Sequence, residues 1–348
     1  MAFPQIHFVE GAQVTDLLAN DDKSRVTGVQ LRSRHTQDEQ TRAADFIVDA
    51  TGRGSKTPEW LQALGYAAPR ESAINSFQGY ATRWYKRPEH LKLDWKALIV
   101  STKPPTMSRG GGIYPIENDQ WIVTIGGVNK DFPPNDDAGF MEFARTLRSP
   151  LLAEVLQHAE PISPVYGYQR TENHLRHYEE LGAMPEGIVV VGDAVCAFNP
   201  VYGQGMTAAA MGAMVLDKCL QQGVNSAISL RFQKALAKSN ETAWLMATGE
   251  DFRWPNTEGK RPQVNMATRF VQRYMDYITE LIVDEPVILT AFYQVAHLLK
   301  SPAALFQPAI FARVLRKALS DRMRGKAHDR PIGQPPTAQT HEENVLAT

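Results

Sequence analysis

Between Ile188 and Leu220 the chain concentrates residue types that can bind an electron-rich ligand. Gly192-Asp193 closes the apolar run Ile188-Val189-Val190-Val191, and Gly203-Gln204-Gly205-Met206 opens a stretch with no charge before Asp217. A carboxylate at the end of a buried strand is an acceptor for ligand hydroxyls, at the position where open α/β sheets bind their ligands. A helix starting near Gly205 presents unpaired amides and partial positive charge, which suit an anion or an electron-rich ring edge. Gly203 and Gly205 leave no bulk there and permit a tight turn at positive φ, with Pro200 just before it. The residues alone leave two readings open: a ligand cradle, or a strand–turn–helix unit whose glycines serve tight turns. The Ala, Gly, Met and Thr content of the helix predicts burial on all sides.

Other chemistries find no support. The histidines are scattered without His-Glu-x-x-His spacing, so no metal site is expected. There is no Gly-x-Ser-x-Gly elbow and no Cys-His pair to supply a nucleophile. Cys196 and Cys219 are too few for a disulfide framework and point to a reducing cytoplasm. A net charge of -1 gives no electrostatic case for nucleic acid. The start Met1-Ala2-Phe3-Pro4 predicts no signal peptide, and no uncharged run approaches membrane-spanning length.

The elements that would position these residues follow from periodicity. Ile6–Val14 and Arg25–Arg34 read as strands around the polar loop Asn20–Ser24, and Ala43–Ala50 as a third strand ending at Thr51-Gly52-Arg53-Gly54-Ser55. Pro58–Leu64 is a short helix stopped by Gly65. Phe77–Tyr85 and Leu98–Thr102 are strands, Gly112–Ile116 and Trp121–Gly127 a hairpin, and Pro161–Arg170 a further strand. Phe140–Leu147 and Leu151–Ala159 are helical, as is most of the chain after Leu220. The stretch Leu305–Leu319 carries Arg313, Arg316 and Lys317. It could touch an anionic membrane surface, although one packed and one solvated face is the expectation. Residues 331–348 are polar and Pro-containing and are expected to be disordered.

Gly192-Asp193-Ala194, Asn199-Pro200 and Gly203-Gln204-Gly205-Met206 together resemble the second flavin motif of FAD-dependent aromatic hydroxylases and related epoxidases, reductases and halogenases. The resemblance implies that Asp193 binds the ribityl chain and that the helix start faces the pyrimidine edge of the isoalloxazine, where its dipole stabilises reduced flavin. Asp49-Ala50-Thr51-Gly52-Arg53-Gly54-Ser55 resembles a second cofactor turn, with Arg53 able to pair with a phosphate. Many members carry His three residues after the Asp, where this chain has Cys196, so no role of that His transfers. The hydroxylases have Asp-Gly where this chain has Thr51-Gly52, which leaves the associated nicotinamide contact unsupported.

The implied fold class is α/β (α+β). It comprises a partial FAD-binding Rossmann-like domain (1–65 and 176–225), an inserted antiparallel sheet substrate domain (66–175) and a C-terminal helical region (226–330). Tyr80, Trp84, Tyr114 and Trp121 are candidates to line the pocket or to be core, and Arg83 to meet an anionic substrate or face solvent. The Gly-x-Gly-x-x-Gly turn expected after a first strand, with its ribose-binding acid, is missing. The chain therefore resembles the last three quarters of such an enzyme. Either it is an N-terminally truncated product, or it is a remnant or interaction protein that binds flavin poorly. Loss of the pyrophosphate site would cost about 3–4 kcal/mol.

The implied activity is that of an FAD-dependent monooxygenase, a hydroxylase or epoxidase, taking NAD(P)H as reductant and an apolar or aromatic small molecule as substrate. The alternative is double-bond reduction, as in polyprenyl reductases. No side chain is required as acid or base for oxygen transfer, so no catalytic residue is named.

Overall fold

The computed structural model describes residues 3–91, 93, 95–223 and 228–323; the tail 331–348 lies outside them. The chain divides into two compact units, Met1–Ala73 with Asn173–Ala247, and Ile74–Glu172 with Thr248–Thr348. The chain crosses between the units at 73/74, 172/173 and 247/248.

In the first unit, β1 (Ala12–Ala19), β2 (Val26–Ser33) and β3 (Glu39–Ala43) form an antiparallel meander. Pairing begins at Ala12 rather than Ile6, and Ile6, Phe8 and Val9 remain exposed with no strand alongside. The single strand expected over 43–50 is instead two. β3 pairs with β2, the chain turns at 44–46, and β4 (Ile47–Asp49) leaves for a different sheet. α1 (Thr57–Leu64) stops at Gly65, whose φ of 96° suits a glycine cap. β5 (Arg70–Ile74) carries the chain to the second unit.

There, β6 (Gly79–Lys86), β7 (Leu98–Val100), β8 (Arg109–Ile116) and β9 (Gln120–Gly127) build an antiparallel sheet in the order β6-β9-β8-β7. The β8–β9 hairpin turns through Glu117-Asn118-Asp119, with Asn118 and Asp119 at φ 60° and 57°, conformations these two side chains tolerate. α2 (Asp137–Arg145) and α3 (Leu151–Leu156) pack on one face of the sheet. Tyr85, Ile113, Trp121, Ile125, Phe140 and Leu152 there are at most 2% exposed. The strand expected over 161–170 is two short pieces on the edge of β6, β10 (Glu160–Pro161) and β11 (Tyr166–Tyr168).

Back in the first unit, β12 (Asn173–His177) lies between β5 and β14 (Cys196–Ala197), and β13 (Ile188–Val190) pairs with β4 in parallel. α4 (Gly205–Gln221) and α5 (Ile228–Asp251) follow. Gly212 lets them approach closely, since a Cβ there would sit 3.1 Å from Leu236. The expected all-round burial of α4 is overturned. Ala208, Gly212 and Cys219 form one buried stripe, while Met206 is 87% and Met214 63% exposed. Small side chains permit close packing but do not require it. In the second unit α6 (Met266–Leu281), α7 (Pro286–Ala296) and α8 (Pro308–Met323) form a helical cluster around Tyr274, Tyr277, Ile278, Ile288, Ile310 and Val314. No helix among the described residues is long and apolar enough to cross a membrane.

Candidate functional site

β4 and β13 set the site by ending together. Their register pairs Ile47 with Ile188, Val48 with Val189 and Asp49 with Val190, so the turn after each strand emerges at one carboxyl edge. The turn after β4 is a single 3-10 turn, Gly52–Gly54, and that after β13 is another, Gly192–Ala194. Gly52 at φ 79° and Gly192 at φ 59° make these sharp exits possible without strain.

Buried polar side chains fix both turns. Asp49 accepts from the Thr51 amide at 2.8 Å and from the hydroxyls of Thr51, Ser55 and Thr57 at 2.6, 2.5 and 2.6 Å. Burial pushes the Asp49 carboxyl up, but these donors outweigh it and hold the pKa below the usual range. Arg176, 7% exposed, ties the two turns to each other. Its Nη1 donates to the Ala194 carbonyl at 2.9 Å, its Nη2 to the Arg53 carbonyl at 3.1 Å, and its Nε to Glu71 at 2.9 Å. Asn173 accepts from the Asn199 amide at 2.8 Å, and Asn199 caps the turn Pro200–Tyr202. Gly203 at φ 64° then redirects the chain into α4.

The helix start is bare. Gln204 occupies the cap position without a capping side-chain bond, and the first-turn amides of an α-helix have no intrahelical acceptor. A Cβ placed on Gly205 would lie 3.7 Å from Asp193 Oδ1, and one on Gly52 4.0 Å from the Asp193 Cβ. Gly52 and Gly205 therefore both lie against the Asp193 side chain. Gly54 and Gly203 have nothing within 4 Å of a would-be Cβ, so the surface around them is open. A planar ring could lie against such a surface, with a carboxylate for hydroxyls and amides for an electron-rich edge. The residues present fit the ring and ribityl portion of a flavin.

The remaining candidates divide. Gln204 is 4% exposed and Met206 87% exposed, so only the backbone of Met206 belongs to the helix start. Pro200 begins its 3-10 turn at the surface. Thr51 spends its hydroxyl on Asp49. Arg53 Nη2 donates to the Phe198 carbonyl at 2.7 Å, so this arm braces the backbone. Cys196, where the resemblance would place His, is 3% exposed, and burial, with Asp193 nearby, pushes its thiol up. It is no thiolate nucleophile. Sequence reasoning missed Arg176 and Asn173 because β12 has no apolar alternation to announce it. Asp49 was within the quoted turn motif but carried no assigned role.

In the second unit Trp121 is 1% exposed and packs in the core, which removes it from the pocket candidates. Trp84 and Tyr114 are both register partners of Ile122, and Tyr80 lies on the same face of β6 as Trp84, opposite the core. Arg83 is on the core face, 8% exposed, bonded to Asp137 at 3.0 Å and to the Ser163 carbonyl at 2.9 Å. It meets neither solvent nor a free anion, because its partners satisfy it internally.

The fold is that of FAD-dependent halogenases and hydroxylases. The flavin-dependent brominase Bmp2 superposes with a TM-score of 0.57 at 15% identity, covering 90% of this chain and 71% of that one. OxyS anhydrotetracycline hydroxylase from Streptomyces rimosus gives 0.52 at 13% identity over 86% and 54%. HpxO of Klebsiella pneumoniae, complexed with FAD and uric acid, gives 0.51 at 14% over 88% and 66%. By sequence, Protein Rv3254 of Mycobacterium tuberculosis is 31% identical over 231 residues, 64% of this chain. The chain spans 48% of that relative's length. No protein-family model matches the chain.

Proposed function

We propose that Gly52, Gly192, Asp193 and the start of α4 at Gly203–Met206 hold the isoalloxazine and ribityl portion of FAD in an oxidoreductase of the monooxygenase type. Its substrate is an apolar or aromatic small molecule and its reductant NAD(P)H. The observation that carries this is the approach of Gly52 and Gly205 to the Asp193 side chain at the carboxyl edge shared by β4 and β13. When bound, the flavin supplies electron transfer and activation of O2. Asp193 accepts hydrogen bonds from ribityl hydroxyls, and the α4 amides stabilise negative charge at the ring edge. Asp49 and Arg176 keep both turns in place before the ligand arrives, which lowers the ordering cost of binding.

The sequence contains no Gly-x-Gly-x-x-Gly turn, so ring and ribityl contacts carry the affinity of this polypeptide. Titration of the purified chain with FAD and with riboflavin, followed by flavin fluorescence, tests this. Both ligands should bind, within about tenfold of each other, and Asp193→Ala should weaken both by about tenfold or more. Absence of quenching with either ligand, or binding indifferent to Asp193→Ala, would sink the assignment. With flavin bound and NAD(P)H supplied, oxygen-dependent product formation separates the monooxygenase from a double-bond reductase.

A further inference from the structure

The helical cluster of the second unit carries an apolar surface that the flavin reading does not use. Tyr274 on α6 is 4% exposed, donates its hydroxyl to the Leu305 carbonyl at 2.7 Å, and stacks on Phe306 and Phe311 with centroids 4.6 and 5.9 Å away. Phe270 lies 6.2 Å from the same ring. The three phenylalanines around it are themselves open: Phe270 is 56%, Phe306 37% and Phe311 40% exposed. Helical spacing extends the patch. Met266 precedes Phe270 by one turn at 88% exposure, and Leu315 and Leu319 follow Phe311 at 49% and 51%. α8 packs Ile310 and Val314 inward, and its exposed side carries Phe311, Leu315 and Leu319 beside Arg316 and Arg322. A contiguous apolar patch of this kind marks an interaction site.

The charges around the patch say what covers it. The ion-paired acids here already have cationic partners: Asp276 with Arg253, Glu280 and Asp321 with Lys317, and Glu285 with Arg313 and Arg316. Arg269, Arg273 and Arg322, on α6 and α8, are exposed and enter no ion pair among the described residues. Apolar side chains flanked by unpaired guanidiniums are complementary to a lipid surface bearing anionic headgroups. A second copy of the same surface would bring arginines against arginines.

We infer that α6, α8 and the turn Pro302–Phe306 dock on an anionic membrane surface. Phe270, Phe306, Phe311, Leu315 and Leu319 enter the headgroup–acyl boundary while the arginines pair with lipid phosphates. The contact is peripheral, since no described helix can span a bilayer. For an enzyme of apolar substrates it would place the protein beside their reservoir.

Vesicle flotation of the full chain tests this without flavin, so its outcome is independent of the cofactor assignment. The protein should float with phosphatidylcholine vesicles containing about a quarter phosphatidylglycerol and bind pure phosphatidylcholine several-fold less. Salt near 0.5 M should reduce the difference. Leu315→Glu with Leu319→Glu should lower the vesicle-bound fraction by about tenfold or more, at unchanged far-UV circular dichroism because both sites are exposed. Arg269→Gln with Arg322→Gln, which removes no packing, should lower binding to anionic vesicles several-fold and leave neutral vesicles unaffected. No flotation with either lipid would overturn the inference. So would sedimentation showing a dimer that the glutamate variants dissociate, since a second copy would then be what covers the patch.

Discussion

The two sheets that matter are built on opposite principles. The β6–β9 sheet is antiparallel, with strands of eight residues in β6, β8 and β9, and is held by apolar packing against α2 and α3. The parallel pair β4–β13 has three residues per strand and relies on directional bonds from Asp49, Arg176 and Asn173 to fix the turns at its edge. Packing tolerates small displacements, because its energy is spread over many weak contacts. Hydrogen-bonded turns tolerate few, because each bond is lost steeply with angle and distance. Apolar packing dominates the long sheet, and directional bonds dominate the turns that border Asp193.

Substitutions can break each side of that contrast. The largest effect should come from Trp121→Ala, which hollows the sheet core and should cost about 3–5 kcal/mol in denaturant unfolding. Arg176→Met should cost about 2–4 kcal/mol, since it leaves the Ala194 and Arg53 carbonyls without this donor. It should also abolish flavin quenching even where the variant remains folded, a coupling that Trp121→Ala would not show under folding conditions. Asp49→Asn should cost about 1–3 kcal/mol at neutral pH. The native carboxyl has a pKa lowered by its hydroxyl donors, so its contribution is present above the unfolded value near 4 and is lost as pH falls through the folded value. Urea midpoints measured from neutral to acid pH should therefore converge between wild type and Asp49→Asn at the acid end.

Smaller effects sharpen the comparison. Gly205→Val should leave thermal stability nearly unchanged, because a Cβ there makes ordinary contact at 3.7 Å, yet weaken flavin binding by about tenfold. Cys196 should be unreactive to a thiol reagent in the native protein at mildly alkaline pH and react fully after denaturation, since its thiol is buried and its pKa raised.

What sequence pattern revealed follows the same divide. The β8–β9 hairpin could be located from alternation and Asn-Asp turn chemistry, and the strand–turn–helix around Asp193 from its glycines and its apolar run. The turns at Gly52 and Gly192 were legible because positive φ restricts the residue types that can occupy them. Short strands escaped notice. β3, Glu39–Ala43, is exposed at every position and exists because β2 beside it needs a partner. β12 offers no apolar alternation and is held by pairing with β5 and β14. Arg176 was invisible for the same reason, since nothing local reveals that a strand arginine reaches two distant carbonyls. The open face of α4 departs from the burial expected all round it, because composition reports what a helix could bury, and not what stands opposite it.

The shared rung at Asp49 and Val190 has an evolutionary corollary. One residue inserted into either three-residue strand would push its exit about 3.3 Å outward and reverse the direction of every following side chain. Point substitutions can drift independently on the two segments, but a length change in one would need a matching change in the other. Gaps in an alignment of related chains should therefore avoid these six positions, or arise in both strands together.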